Sequence, residues 1–452
     1  MNRKYEALLK DLVKTYYSND NFDEKLNNII SNEFNSKEEA IEVLSSLCGV
    51  NINIDSNKLS YDFKKAITSN EIRKNLVKKI SVCTKDCKSS DGKAKCQSLC
   101  PFDAILTNPI DNSKYIDTNL CQNCGICVEV CENGNFLDKI EILPIIDLLK
   151  NNKKVVAAVA PAISGQFGEN VTLDMLREAF IKIGFVDMVE VAFAADILSI
   201  KEAVEFNNHV EKSGDVLITS CCCPMWVGML KKSYHQLVKD VSPSVSPMIA
   251  AARVIKKLSP DVKVVFIGPC IAKKAEAKEK DLIGDVDYVL TFEELKYIFE
   301  VLEIDPSSFK GVPSIEYTSR GGRLYARTGG VSEAIHDVIK ELYPEKDKLF
   351  LSVQANGVKE CKELLNSLLN KEVKATFIEG MGCVGGCVGG PKRIVDSNIG
   401  KEAVNKVAYE SPIKVATHSN TMDEILSRLG INSLKCFENK EKVELFQREF
   451  EN

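Results

Sequence analysis

Histidine is nearly missing from this chain. Only His209, His235, His336 and His418 occur in 452 residues, so a metal centre here has to be built from other donors. Long apolar runs are missing as well. None approaches the roughly 18 residues that cross a bilayer, and the opening MNRKYEALLKDLVK carries charges where a signal peptide needs its apolar stretch. Charge of one sign is also in short supply: a formal net charge of -5 is small for this size and argues against general nucleic-acid binding. No repeat and no low-complexity linker is visible. These absences leave a cytosolic globular protein with neither a membrane nor a nucleic-acid partner. Its 44% hydrophobic and 27% charged residues are ordinary, and its length suffices for two or three domains.

Cysteine is the opposite case. Seventeen thiols in a reducing compartment point to metal or redox chemistry rather than disulfides. Zinc does not account for so many in the arrangement below, whereas iron–sulfur clusters do.

Residues 1–77 read as a small helical domain without an assigned role. YEALLKDLV, FDEKLNNII and SKEEAIEVLSSLCGV repeat apolar residues at helical spacing, with Ser36 as an N-cap before Lys37, Glu38 and Glu39. Cys48 there reads as a buried thiol. Residues 78–140 hold eight cysteines and too few apolar side chains for an ordinary core, so bound metal has to help hold them together. From 141 to 452 the pattern is α/β. KKVVAAVAP, DVLITS and VKVVFIGP are short β-rich runs that lead into loops, and TLDMLREAFIKIG, VSEAIHDVIKELY and ECKELLNSLL read as helices. Loops at the ends of such strands are where α/β sheets hold their ligands.

CQNCGICVEVC sets Cys121, Cys124, Cys127 and Cys131 at the spacing of a bacterial two-cluster ferredoxin. Cys83, Cys87, Cys96 and Cys100 lie upstream at looser spacing, the last followed by Pro101. In such ferredoxins the fourth cysteine of each run serves the other cluster. The resemblance thus implies one 4Fe–4S cluster on Cys121, Cys124, Cys127 and Cys100, and a second on Cys83, Cys87, Cys96 and Cys131. A zinc ribbon or knuckle is the alternative. Beside these runs, Arg73, Lys74, Lys78, Lys79, Lys85, Lys88, Lys93 and Lys95 face only Asp86 and Asp91. Such a patch either docks an acidic electron carrier such as ferredoxin or is a solvated lysine-rich surface.

The other thiols gather in three loops: TSCCCPMW (219–226), IGPCIAKKAE (267–276) and EGMGCVGGCVGG (379–390). Glycines in the third let backbone approach a bulky inorganic centre. Cys361 and Cys436 stand apart and read as buried thiols.

In this order, behind a two-cluster segment, the three loops resemble the signature motifs of the iron-only (FeFe) hydrogenases. VAPAISGQFGE (159–169) and ARTGGVSEA (326–334) resemble further segments of that catalytic domain. The triple cysteine and IGPC resemble the family's group B branch. The resemblance implies an α/β catalytic domain of two lobes with the active site between them, over residues 141–452. Before it come a ferredoxin-like domain with two 4Fe–4S clusters (78–140) and the helical N-terminal domain (1–77). It also implies an H-cluster, a 4Fe–4S cubane joined to a diiron unit with CO, cyanide and azadithiolate ligands, the diiron unit being inserted by dedicated maturation proteins. Cys223, Cys270, Cys383 and Cys387 would be the cubane ligands, with Cys387 bridging to the diiron unit. Cys222 would exchange protons with the bridgehead amine; a one-residue slip would make it the ligand instead. Cys221 has no role assigned. Lys273 would donate to a cyanide and the dithiolate, a surface lysine being the bland alternative and Lys274 its solvent-facing neighbour. Pro161 and Ala162 would meet the other cyanide, and Met381 would pack on the diiron unit.

A proton route completes the implied site. SIKEAVEFNNHVEK sets Glu202 and Glu205 on one helical face with His209 a turn further on, and Ser242 falls at the family's serine between two such glutamates. A solvated helix face gives the same spacing. Gly268 and Met248 depart from the methionine and glutamine of better-known members. The expected activity is H2 = 2 H+ + 2 e- in an anaerobic setting, with electrons relayed to a ferredoxin-type carrier. Two rivals stand beside it: a slow hydrogen sensor, and an iron–sulfur assembly or electron-transfer relative lacking the diiron unit.

Overall fold

A computed structural model describes residues 3–18, 21–34, 36–52, 58–69, 76–83, 87–152, 154–220, 222–315, 317–439 and 441–450. Arg73, Lys74, Lys85, Asp86 and Cys221 lie outside them. The chain forms two compact units. The first comprises Met1–Lys153, Cys270–Lys278 and Tyr288–Asp305, and the second Lys154–Pro269, Glu279–Asp287 and Pro306–Asn452. No helix among the described residues is long and apolar enough to cross a membrane.

The first unit opens with four helices, α1 (Glu6–Ser18), α2 (Phe22–Asn32), α3 (Lys37–Leu47) and α4 (Leu59–Thr68). Ser36 caps α3 by accepting the Glu39 N–H at 3.1 Å, as the sequence pattern requires. Leu9, Leu12 and Val13 of α1 turn inward. Tyr16 of the same helix bonds Asp147 at 3.1 Å, and Lys10 reaches Glu300 at 2.7 Å, so these helices are seated on later parts of the unit. Cys48 is fully buried, and burial raises its thiol well above the usual range.

The cysteine-rich segment is thinly built. Its strands β1 (Val77–Lys79), β2 (Ile105–Thr107), β3 (Lys114–Ile116) and β4 (Phe136–Asp138) have three residues each and pair antiparallel, β1 with β4 and β2 with β3. Six buried residues form its core: Val77, Cys96, Ile105, Val128, Phe136 and Ile271. One of the six arrives from far along the chain, beside Cys270. Gly125, at φ +83°, leaves the space that Ile271 fills.

The expectation that Lys274 faces solvent is overturned. Its side chain is fully buried and donates to the Lys139 carbonyl and to Glu294, both at 2.7 Å, with Asp138 at 3.9 Å. A buried ammonium persists only where acceptors surround it, and here two carboxylates and a carbonyl do so. Lys278 likewise pairs with the buried Glu141. The turn after Cys270 is thereby fastened by charge inside the first unit.

The second unit is α/β with parallel sheets. In one, β5 (Val155–Val159) lies between β6 (Asp187–Glu190) and β8 (Lys263–Gly268), parallel to both. All five residues of β5 are buried, which is why VVAAV runs apolar without alternation. In the other, β10 (Phe377–Met381) lies between β9 (Ser352–Asn356) and β7 (Leu217–Ile218). The helix Ala192–His209 passes through the core: fourteen of its eighteen residues are buried, so each polar group on it needs a partner inside the protein.

Candidate functional site

All three cysteine loops leave the C-terminal ends of parallel strands. Cys222 and Cys223 follow β7, Cys270 follows β8 by two residues, and Cys383 follows β10 by two. Because β7 and β10 are neighbours in register, with Ile218 opposite Ile378, two of these loops emerge side by side. The Gly382 N–H donates to Cys223 Sγ at 3.3 Å, and Cys222 Sγ lies 3.6 Å from Met381 Sδ, both groups buried. Pro224 starts the helix Pro224–Ser233 directly after Cys223, and Trp226 anchors the turn by donating to the Thr219 carbonyl at 2.8 Å. That indole lies flat against Gly380, where any side chain would strike it.

The third loop is shaped by glycine. Gly385 and Gly386 sit at φ +89° and +86°, and a Cβ on Gly386 would meet the backbone of Arg327 and Thr328 at 2.7–2.9 Å. Asn356 Oδ1 takes the Gly385 N–H at 2.6 Å, and Gly385 O accepts from Thr328 at 3.1 Å. The ARTGG stretch is therefore a clamp on the Cys383–Cys387 turn. Pro269, the residue before Cys270, accepts from the Lys392 N–H at 3.0 Å. Pro161 and Ala162 form the turn directly after β5, and Gln166 beyond them receives the Ile394 N–H at 2.7 Å. At Gly268 a side chain would run into the Phe266 ring at 2.6 Å, so Phe266 fills the room that a larger residue would need.

Cys223, Cys383 and Cys387 belong to the second unit, Cys270 and Lys273 to the first. Lys273 is buried, not a surface lysine, and pairs with buried Glu276 at 2.7 Å. Sequence reasoning missed Glu276, although its i, i+3 spacing from Lys273 was a readable signal.

In the cysteine-rich segment the thiols sort into two groups. One cavity is lined by Cys100, Cys121, Cys124 and Cys127, with mostly apolar residues between them. The other neighbourhood is seen from Cys96, where burial and then Cys87, Cys83 and Cys131 push the thiol up to about 11. Burial likewise holds Cys124 up to about 12, and among the thiols acting on it are Cys100, Cys121 and Cys270. Cys270 thus lies near the first group of four. Among the described residues no three His, Cys, Asp or Glu close in as they would on a single ion. The charge of the lysine patch is partly met, since Lys78 pairs with Glu42 and Lys95 with Glu132.

The carboxylates expected on one helix face are not solvated. Glu202 is fully buried, and neither of its oxygens makes a hydrogen bond. Burial foremost, then the neighbouring Glu205 charge, raises it to about 7, against Lys201. Glu205 accepts from Ser242 Oγ at 2.6 Å and pairs with buried Lys201. Ser242 reaches this place because its N–H extends the sheet by bonding Ile218 O at 2.8 Å. His209 is the last residue of the helix and meets Val216 O at 3.1 Å, outside this group. Lys201 and Ser244 were overlooked in the sequence, where only the hydroxyl-rich VSPSVSP hinted at the latter. Cys361 is buried against the Met381 carbonyl at 3.5 Å. Cys436, expected inside, is not: it sits in a short exposed turn, and the Ser433 hydroxyl at 3.7 Å lowers its thiol.

The family described as iron only hydrogenase large subunit, C-terminal domain, matches residues 153–391, just over half of the chain. The chain belongs to that family. A 4Fe–4S binding domain matches residues 114–135, the stretch that holds Cys121, Cys124, Cys127 and Cys131. The NADP-reducing hydrogenase subunit of Solidesulfovibrio fructosivorans is 28% identical over 64% of this chain and 58% of its own length. Iron hydrogenase 1 of Clostridium pasteurianum is 28% identical over 68% and 60%. This chain thus spans about three-fifths of the length of these two curated relatives. A solved variant of the [FeFe]-hydrogenase of Chlamydomonas reinhardtii superposes with a TM-score of 0.56 over 67% of this chain and 97% of that one, at 23% identity, which establishes the fold. A cytosolic Fe–S cluster assembly factor homolog of Schizosaccharomyces japonicus is also similar, 23% identical over 43% of this chain and 45% of its own.

Proposed function

We propose that this chain is an FeFe hydrogenase that interconverts H2 with two protons and two electrons. The observation that carries the reading is the buried, unpartnered Glu202 beside the Glu205–Ser242 pair, in the same unit as Cys222, Cys223 and Met381. A buried carboxyl raised to about 7, with only the Thr219 and Ser244 hydroxyls acting to favour its charged form beside Lys201, is suited to taking and giving a proton at neutral pH. An assembly factor has no use for such a group. The glycine-shaped Cys383–Cys387 turn, the Gly382–Cys223 bond and the buried Lys273 fit a bulky anionic centre.

In this reading Cys223, Cys270, Cys383 and Cys387 hold the H-cluster, which when bound supplies the making and breaking of the H–H bond. Lys273, which pairs with Glu276, would offer charge-assisted hydrogen bonds to a cyanide and the dithiolate. Pro161, Ala162 and Met381 would line the diiron unit. Cys222 would exchange protons with Glu202, and Ser242 and Glu205 would carry them towards the surface. Cys121, Cys124, Cys127 and Cys100 hold one 4Fe–4S cluster and Cys83, Cys87, Cys96 and Cys131 the other. The closeness of Cys270 to Cys124 within the first unit supports the first of these as the one that exchanges electrons through Cys270. Ferredoxin or a similar acidic carrier exchanges electrons at the Lys88–Lys93 side, and maturation proteins deliver the diiron unit.

The rival favoured by a specific observation is iron–sulfur assembly, from the similarity to such factors. Matured full-length protein given a low-potential dye should evolve and consume H2. Full iron occupancy with neither direction of turnover would defeat the proposal.

A further inference from the structure

Fourteen buried residues on Ala192–His209 leave four polar side chains to be satisfied inside the core, and they are satisfied differently. Asp196 takes the Ser319 N–H at 2.7 Å and its hydroxyl at 2.5 Å. Ser199 bonds Ala195 O and the Tyr325 hydroxyl. Glu202 makes no well-formed hydrogen bond, although the Thr219 and Ser244 hydroxyls act on it. Lys201 alone closes a ring: its Nζ donates to Glu205 Oε1 and, at 2.9 Å, to Ser244 Oγ. Ser244 Oγ is 2.8 Å from Ser242 Oγ, and Ser242 Oγ is 2.6 Å from Glu205 Oε2.

Hydrogen counting gives this ring a direction. An ammonium only donates and a carboxylate only accepts. Ser242 has one hydroxyl hydrogen, and it goes to Glu205. The hydrogen in the Ser242–Ser244 contact must then come from Ser244, whose oxygen is already receiving one from Lys201. The Ser244 N–H also points at Ser242 Oγ, at 3.3 Å, which reinforces that oxygen as an acceptor. Ser220, through its bonds to the carbonyls of Ser242 and Ser244 at 2.6 and 2.9 Å, fixes the backbone of both. The Ser244 and Thr219 hydroxyls are in turn the ones that act on the Glu202 carboxyl.

We propose that Ser244 is a second hydroxyl in the proton route and that Lys201 is the positioning residue that sets its polarity, Ser244 handing to Ser242 and Ser242 to Glu205. The proposal rests on the hydrogenase reading. In one transfer a turn of the Glu202 side chain brings its carboxyl proton to Ser244 Oγ. The Ser244 proton passes to Ser242 and the Ser242 proton to Glu205. Glu202 ends as the carboxylate and Glu205 as the acid, both serines are hydroxyls again, and no electron moves. Glu205, whose side chain is 20% exposed, is the end that meets water.

The test uses the full chain with Lys201→Met, Ser244→Ala and Ser244→Thr. Infrared spectra are first recorded on protein carrying its iron–sulfur clusters but no diiron unit, where the Glu205 carboxylate band is identified by its loss in Glu205→Gln. That band should move in Lys201→Met and in Ser244→Ala, and return to its parent position in Ser244→Thr. After maturation, turnover should fall by roughly tenfold or more in the first two variants and be restored by the threonine hydroxyl. A Glu205 band indifferent to Ser244→Ala, or parental turnover in the first two variants, would overturn the proposal. A parent chain with the H-cluster and no turnover would instead overturn the reading beneath it, whatever the band does.

Discussion

Residues 77–138 and residues 155–381 both present cysteines from loops, yet they are built on opposite terms. The former have four strands of three residues and a six-residue core, one member of which is borrowed from beside Cys270. The latter have parallel sheets with a fully buried central strand and an eighteen-residue helix buried over fourteen of its residues. The first segment buries little apolar surface of its own, so iron–sulfur clusters bound there would be structural as well as electronic. The second keeps its shape on packing alone, which lets it hold strained glycine turns and an orphaned acid where chemistry is needed.

Stripping the iron draws this contrast most sharply. Amide exchange in iron-depleted protein should become fast across 87–140 while β5 and β8 stay protected. Equal protection in both would erase the distinction. Next in size is the proton route: Glu205→Gln should slow turnover by roughly a hundredfold with iron content unchanged, measured as H2 evolution per iron.

Packing in the second unit comes next. Gly380→Ala forces a methyl into Trp226, which its bond to Thr219 holds in place, and should cost about 3 kcal/mol in denaturant unfolding. Burial of Glu202 makes a pH signature of similar size. Its carboxyl rises from 4.5 to about 7 on folding, so the folded chain binds the extra proton between those values. Stability therefore falls as pH rises from about 4.5 to about 7, by about 3 kcal/mol, and Glu202→Gln should flatten that decline. The smallest effect belongs to the lysine patch: Lys88→Glu with Lys93→Glu should slow electron exchange with an acidic carrier roughly threefold at low salt and hardly at all at high salt.

Much of this was legible in the sequence because the signals are local. The Ser36 cap, the apolar VVAAV strand and the strand-then-cysteine loops are set by residues within a few positions of each other. That Cys100 lines one cavity with Cys121, Cys124 and Cys127 agrees with the grouping the ferredoxin resemblance implies. What stayed hidden depends on partners distant in the chain. Lys274 looks like any surface lysine until Glu294 and Asp138 are placed around it. Lys201 looks like one more helix charge until Ser244 arrives from the strand extension beyond Val241. Cys436 errs the other way, an apolar-looking thiol left in an exposed turn.

The most direct test is infrared spectroscopy of the matured full chain beside Cys223→Ala, Cys270→Ala, Cys383→Ala and Cys387→Ala. One H-cluster held by four sulfurs predicts CO and cyanide stretches in the parent and none in any of the four variants, with Cys361→Ala still showing them. A parent chain without those bands, or bands that survive the loss of any one of the four, would contradict the account.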